Sequence, residues 1–137
     1  MKLSVDVLTP QSKIFSGEAD EVLVPTVNGQ LGILPNHVAL LTQILPGELE
    51  IKTGGKSQFV AIMGGYLEVG NNKVNILGDY AVRAEDIEIA KVEQAKAKAE
   101  KMKQEKVSLE DIAGIEADLR RSILELKVAQ RRRSPRS

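Results

Sequence analysis

Ten of the eleven glycines and four of the five prolines lie before Arg83, and beyond it come only Gly114 and Pro135. Glycine costs a helix interior backbone entropy, and proline removes a hydrogen bond from it. The partition therefore splits the chain into a strand-and-turn part, residues 1–84, and a helical part, residues 85–137, rich in Ala, Glu, Lys, Leu and Ile.

The first part reads as short strands. In "LSVDV", Leu3, Val5 and Val7 share one face and Ser4 and Asp6 the other, as a period of two requires. "EVLVP" is a β-branched run that Pro25 is expected to stop. "GELEIKTGGKSQFVAIM" reads as a hairpin turning at "TGGKS", and "GYLEVGNNKVNILGD" repeats the pattern with "GNN" supplying residues that tolerate positive φ. Gly64-Gly65 marks a bulge or a close backbone approach. Turns recurring every eight to twelve residues suggest a small β-sandwich or flattened barrel.

The second part reads as two helices. From Asp86 to about Glu105, Ile89, Val92, Ala95, Ala99 and Met102 form one face, with Glu93–Lys96 and Glu100–Lys103 as weak supporting pairs. Ser108 is an N-cap with Asp111 three residues on, and the next helix carries a near-heptad stripe of Leu109, Ile112, Ile115, Leu119, Ile123 and Leu126. A short connection makes the pair an antiparallel hairpin. The first helix's seam is mostly alanine, so its contacts are thin, and the hairpin is either weakly docked and able to switch or fixed on the sandwich. Charge along it is uneven: residues 85–118 carry six Lys against ten acids, net −4, and residues 119–137 seven Lys and Arg against Glu125, net +6. The basic end is either a solvated face that suits the helix dipole or an arm aimed at an acidic partner.

Composition narrows function by exclusion. Aromatics are 3% and Trp is absent, so the core is aliphatic and a base-stacking platform is not expected. Nineteen basic residues balance nineteen acidic ones, which argues against a nucleic-acid binder. There is no Cys and one His, so disulfides, thiol catalysis and thiolate zinc are excluded and no metal site is expected. No run reaches the roughly 18 apolar residues of a membrane span, and "MKLSVDV" lacks a signal-peptide apolar block, so a soluble protein on the cytoplasmic or an equivalent side is expected. No phosphate-binding loop, nucleophile elbow or dinucleotide fingerprint occurs. His37 has no triad around it, so no catalytic residue is assigned; the chemistry points to recognition. A small hydrolase using His37 and a dimerising sandwich module remain as alternatives.

The stretch "GQLGILPNH", residues 29–37, is followed by "GGYLEVGNN", residues 64–72, and then by a charged, Ala-rich helical tail. In that order, over essentially the whole chain, these features resemble the epsilon subunit of F-type ATP synthases. "LPNH" and "GNN" also look like the cyanobacterial and chloroplast versions. The resemblance implies a β-sandwich of about ten strands followed by a C-terminal antiparallel two-helix hairpin. It implies a non-catalytic rotor subunit of the central stalk that binds the gamma subunit and the c-ring and couples proton-driven rotation to the catalytic alpha–beta hexamer. The c-ring contact maps onto Gln30, Gly32, Pro35, Asn36, His37 and Leu40.

The same resemblance implies a hairpin that folds down or extends toward the alpha and beta subunits, where it inhibits ATP hydrolysis. Arg120, Arg121, Lys127, Arg131, Arg132 and Arg133 fill the basic role there. An ATP-binding motif known in some bacterial members maps onto Ile87, Glu88, Lys91 and Val92, with Arg121 from the second helix. It is degenerate: Lys lacks the bidentate fork of Arg, and Glu125 stands where a second base belongs. Weak ATP binding or none, and no other cofactor, is expected. The subunit is expected to be monomeric when isolated. It is expected to be peripheral to the membrane, on the cytoplasmic face of a bacterial plasma membrane or the stromal or cytoplasmic face of a thylakoid.

Overall fold

The structure, a computed structural model, describes residues 2–105 and 108–132. It divides between Arg83 and Ala84 into two compact units.

The first unit is a sandwich of ten strands: β1 (Leu3–Leu8), β2 (Lys13–Ala19), β3 (Glu21–Thr26), β4 (Gly29–Ile33), β5 (Leu40–Ile44), β6 (Gly47–Thr53), β7 (Lys56–Ile62), β8 (Gly65–Gly70), β9 (Lys73–Gly78) and β10 (Ala81–Arg83). Their order is β10-β7-β6-β3-β5-β8-β9-β1-β2, with β4 paired to β3. All pairings are antiparallel except β1 with β9, which is parallel. The alternation in β1 has its expected consequence: Leu3, Val5 and Val7 are fully buried. With Val22, Val24, Ile33, Ile44, Leu49, Ile51, Ile62, Leu67 and Ile76 they form an aliphatic core, and Phe15 packs only at its margin.

Turn chemistry read from the residues holds. Gly54 and Gly55 (φ 59° and 80°) join β6 to β7, and Asn71 and Asn72 (φ 51° and 59°) join β8 to β9. Both are two-residue hairpin turns that need positive φ at each central position. The Gly64-Gly65 signal is a close approach. A Cβ on Gly65 (φ +136°) would lie 2.0 Å from the Leu77 carbonyl oxygen. Pro25 does not stop its strand, because β3 continues to Thr26. Pro25 lies within the β3–β4 ladder opposite Gln30, but its missing N–H faces the other side, as its carbonyl does, where β3 passes from pairing with β6 to pairing with β5. Its carbonyl accepts from the Leu45 N–H at 3.0 Å.

Asp20 ties the open ends of the sheet together. Its carboxylate accepts from the Gly54 N–H at 2.8 Å and from the Lys2 ammonium at 3.0 Å, while its own N–H donates to the Lys52 carbonyl at 2.8 Å. This links β1, the β2–β3 connection and the β6–β7 turn.

The second unit opens with a single 3₁₀ turn, Ala84–Asp86, and continues as α1 (Ile89–Gln104) and α2 (Leu109–Ala129), which pack on each other as a hairpin. The first helix begins three residues later than Asp86. Ile87 is buried and Glu88 is extended (φ −86°, ψ 94°), so the chain leaves helical conformation between the two. Ser108 caps α2 as expected, its Oγ accepting from the Asp111 N–H at 3.2 Å. The buried faces differ in detail from the heptad reading. Ala95 is exposed, and Val92, Lys96 and Ala99 form the more buried line of α1. On α2, Ile112, Ile115, Leu119, Ser122, Leu126 and Ala129 turn inward, whereas Leu109 and Ile123 are exposed. The inward residues keep two seven-residue series, 112-119-126 and 115-122-129, whereas Leu109 and Ile123 belong to a third that falls on the flank of this stripe and reaches solvent.

Gly65→Ala is expected to cost more than about 3 kcal/mol, seen as a large loss of urea midpoint. Asp20 gives a pH signature. The Gly54 N–H first, and the Lys2 ammonium second, hold its carboxyl below the ordinary aspartate value. A depressed folded-state pKa contributes stability that is complete above the unfolded value and lost as pH falls through the folded one. Chemical denaturation of the parent and of Asp20→Asn should therefore differ at neutral pH and converge below about pH 4.

Candidate functional site

The stretch from Gly29 to Leu41 is a strand, a turn and the start of a second strand. β4 carries Gln30 and Gly32, both exposed. Gly32 lies opposite Leu23, and a Cβ there would stand 3.0 Å from Glu21 Oε2 and 3.3 Å from Leu23 Cδ2. Leu34, Pro35, Asn36 and His37 then form a β-turn closed by the His37 N–H on the Leu34 carbonyl at 3.1 Å. Proline sits at its second position and Asn36, with φ 69°, at its third. Those are the residues a type II turn demands.

The turn is fixed from outside. The Asn36 N–H donates to Asn72 Oδ1 at 2.6 Å, and the Asn72 carbonyl accepts from the Ser4 N–H at 2.8 Å. Asn72 is the second asparagine of "GNN". The two sequence signatures, 36 residues apart, thus meet at one hydrogen bond. The sequence flagged Asn72 only for its backbone; its amide's role needed the β8–β9 turn to be placed beside the 34–37 turn.

His37 is half-buried, and its Nδ1 lies 2.8 Å from the Val38 carbonyl oxygen. That contact makes Nδ1 the protonated donor. The bond is local and orients the ring; it supplies no nucleophile. Among the described residues no group of three or more His, Cys, Asp or Glu side chains is arranged to hold a metal.

The aliphatic residues after Pro35 divide. Leu40 packs against the core, so of the six residues mapped to the partner contact it is the one turned inward. Val38 and Leu41 are 76% and 70% exposed, and Leu34 is 54% exposed. They do not return the chain to the core. The alternation of β5 puts Thr42 and Ile44 inward and Leu41 and Gln43 outward. Gln43 pairs with Tyr66, and Tyr66 with Leu77, so Leu41, Tyr66 and Leu77 share one outer face on which Tyr66 and Leu77 are also exposed. Exposed apolar residues and core residues alternate alike in sequence, so no sequence signal separated them.

The helical candidates also sort. Ile87 is buried, and Glu88 Oε2 pairs with Lys91 Nζ at 3.0 Å. Val92 is half-buried. Arg121 Nε donates to Glu125 Oε1 at 3.0 Å, and the Glu125 side chain is only 8% exposed. Arg120 and Lys127 are exposed, and Arg131 is half-buried. Arg132 is described only by its backbone, in a 3₁₀ turn of Gln130–Arg132, and Arg133 lies outside the described residues. No helix among the described residues is long and apolar enough to cross a membrane.

Asn72→Gly keeps the positive φ and deletes the amide that holds Asn36. The lost hydrogen bond should cost about 1 kcal/mol, and hydrogen exchange at the Asn36 amide should accelerate while the β1–β9 ladder stays protected.

The family model for the ATP synthase Delta/Epsilon chain beta-sandwich domain matches residues 2–84. The ATP synthase epsilon chain of Herpetosiphon aurantiacus is 42% identical over 134 residues, covering 98% of each chain. That of Dehalococcoides mccartyi is 41% identical over 133 residues, covering 96% of this chain and 95% of the relative. The fold is also that of a chain in the Euglena gracilis mitochondrial ATP synthase (OSCP/F1/c-ring, rotational state 1), with a TM-score of 0.65 at 23% identity over 94% of this chain and 78% of that one. Matched along nearly its whole length, the chain belongs to the epsilon chains of ATP synthase, non-catalytic subunits of that enzyme complex.

Proposed function

We propose that this chain is a rotor subunit of a proton-translocating F-type ATP synthase. Its sandwich binds the gamma subunit and the c-ring, peripheral to the membrane on the cytoplasmic face or its thylakoid equivalent. Its hairpin restrains ATP hydrolysis at the alpha–beta hexamer. One observation carries the sandwich half of this reading: a turn locked by Asn72 presents exposed aliphatic side chains, Val38 and Leu41, beside polar Gln30 and Asn36. A surface that is already rigid pays less ordering entropy on binding. Solved structures with this fold are titled as an OSCP/F1/c-ring assembly and as the central stalk and c-ring of the Tetrahymena thermophila mitochondrial ATP synthase, which supports the same partners. The seat for the c-ring is Gln30, Gly32, Pro35, Asn36 and His37. The apolar outer face of Leu41, Tyr66 and Leu77 is left for gamma.

The hairpin's unequal charge supports the regulatory half. Its last part is strongly basic and suits an acidic surface. ATP is not expected to be its effector. The Glu88–Lys91 pair occupies the only cation of the first-helix motif, and Arg121 already meets Glu125. A triphosphate would have to displace both carboxylates, and Lys91 offers a single point charge where a fork is needed.

Cysteine introduced at Asn36 should crosslink to the polar loop of the c-ring in assembled complexes, and Val38→Glu should lower co-purification with the other stalk subunits. His37→Ala should change assembly or coupling only. Removing residues 84–137 should leave ATP synthesis in place and raise ATP hydrolysis; unchanged hydrolysis overturns the regulatory half alone. Calorimetric titration of the isolated subunit should show no micromolar ATP site.

A further inference from the structure

The chain holds five asparagines, and only Asn28 is followed by glycine. An asparagine in that setting is chemically labile, because the next amide nitrogen can attack the side-chain carbonyl and glycine has no Cβ to obstruct it. The fold separates this pair from the other asparagines. After Asn36, the His37 N–H is held by the Leu34 carbonyl at 3.1 Å. The carboxamides of Asn72 and Asn75 are engaged, the first by the Asn36 N–H at 2.6 Å and the second by Glu68 Oε1 at 3.1 Å. Asn71 is followed by Asn72, which carries a side chain. Asn28 and Gly29 are exposed where β3 turns into β4. Among the described residues the Asn28 carboxamide has no hydrogen-bond partner, and a Cβ on Gly29 would meet nothing within 4 Å.

One side chain restrains the pair. Thr26 is only 2% exposed. Its Oγ1 accepts from the Asn28 N–H at 3.1 Å and donates to the Gly29 carbonyl at 2.7 Å. The residues on both sides of the reacting peptide are thus tied to a single hydroxyl. Cyclisation requires this segment to rotate until the Gly29 nitrogen meets Asn28 Cγ. Thr26 opposes that rotation without touching the reacting atoms.

We propose that Asn28 is a site of spontaneous deamidation and isomerisation, with Thr26 as the positioning residue that slows it. The Gly29 nitrogen gives its proton to water and bonds to Asn28 Cγ. The Cγ–Nδ2 bond breaks, and the leaving nitrogen takes up a proton and departs as ammonia, which leaves a cyclic imide. Water then opens the imide at Cγ, giving aspartate, or at the main-chain carbonyl, giving isoaspartate. Water is the only co-reactant. Either product places a carboxylate two residues before Gln30. Isoaspartate also inserts one carbon into the main chain between the two groups that Thr26 holds, and so parts them.

The test ages purified full-length subunit at neutral and mildly alkaline pH, as the parent and as Asn28→Gln, Thr26→Val and Thr26→Ser. A synthetic peptide of residues 24–33 is aged beside them. Peptide mapping by mass spectrometry locates the products, and enzymatic methylation counts isoaspartate. The parent should form both products at Asn28 ahead of Asn36 and Asn71, faster at the higher pH and more slowly than the peptide. Asn28→Gln should form none there. Thr26→Val should react about fivefold faster than the parent, as the loss of an ordinary hydrogen bond implies. Thr26→Ser, which keeps the hydroxyl, should match the parent, and amide exchange along β3 checks that both variants are folded. An unmodified Asn28 in the parent, where the peptide reacts, overturns the proposal. So does reaction at Asn28 no faster than at Asn36 or Asn71. A folded Thr26→Val that reacts at the parent rate overturns the role given to Thr26.

Discussion

The sandwich depends on one close approach. Gly65 and Gly78 face each other across β8 and β9. A Cβ on Gly65 would meet the Leu77 carbonyl, and a Cβ on Gly78 would lie 3.1 Å from Ile62 Cδ1. Ile62, at the end of β7, therefore packs directly onto the backbone of β9, a strand with which β7 does not pair. At the same corner the Met63 N–H donates to the Tyr80 carbonyl at 2.9 Å and the Asp79 N–H to the Gly64 carbonyl at 3.0 Å. These bonds tie the β7–β8 connection to the β9–β10 connection. A core of Val, Ile and Leu without large rings is filled by such close contacts, since interiors tolerate few voids. Once these are made, β8 and β9 are placed, their Asn71-Asn72 turn is placed, and so is the 34–37 turn that Asn72 holds.

The hairpin is built by a different balance. Along α1 the line of Val92, Lys96 and Ala99 offers little apolar area. α2 supplies most of the aliphatic side chains of this unit. It also carries an ion pair on its more buried side, which stabilises less than apolar packing of equal volume would. One side of α2 carries the Arg121–Glu125 pair, and another leaves Arg120, Ile123 and Lys127 exposed.

Much of the fold was legible from residues. The glycine and proline partition, the alternation of β1, the "GG" and "GNN" turns and the Ser108 cap all act over a few residues, where local sterics decide. Reading failed where neighbours distant in sequence intervened. Pro25 looks like a stop until β3 is seen to change partners there. Asp86 looks like a helix start until the burial of Ile87 is known. Leu41 looks like a core residue until the pleat of β5 assigns its face.

The sequence by itself determined the two-part architecture, the aliphatic core, the turn types and the signature stretches, because each follows from backbone sterics or from residues named in the chain. Tertiary structure alone decided what those stretches do for one another. It brought Asn72 to Asn36, turned Leu40 inward and Leu41 outward, and directed Arg121 to Glu125 while leaving Arg120 and Lys127 exposed. Adjacent residues of the same chemical type differ only in the direction their side chains take, and packing sets that direction.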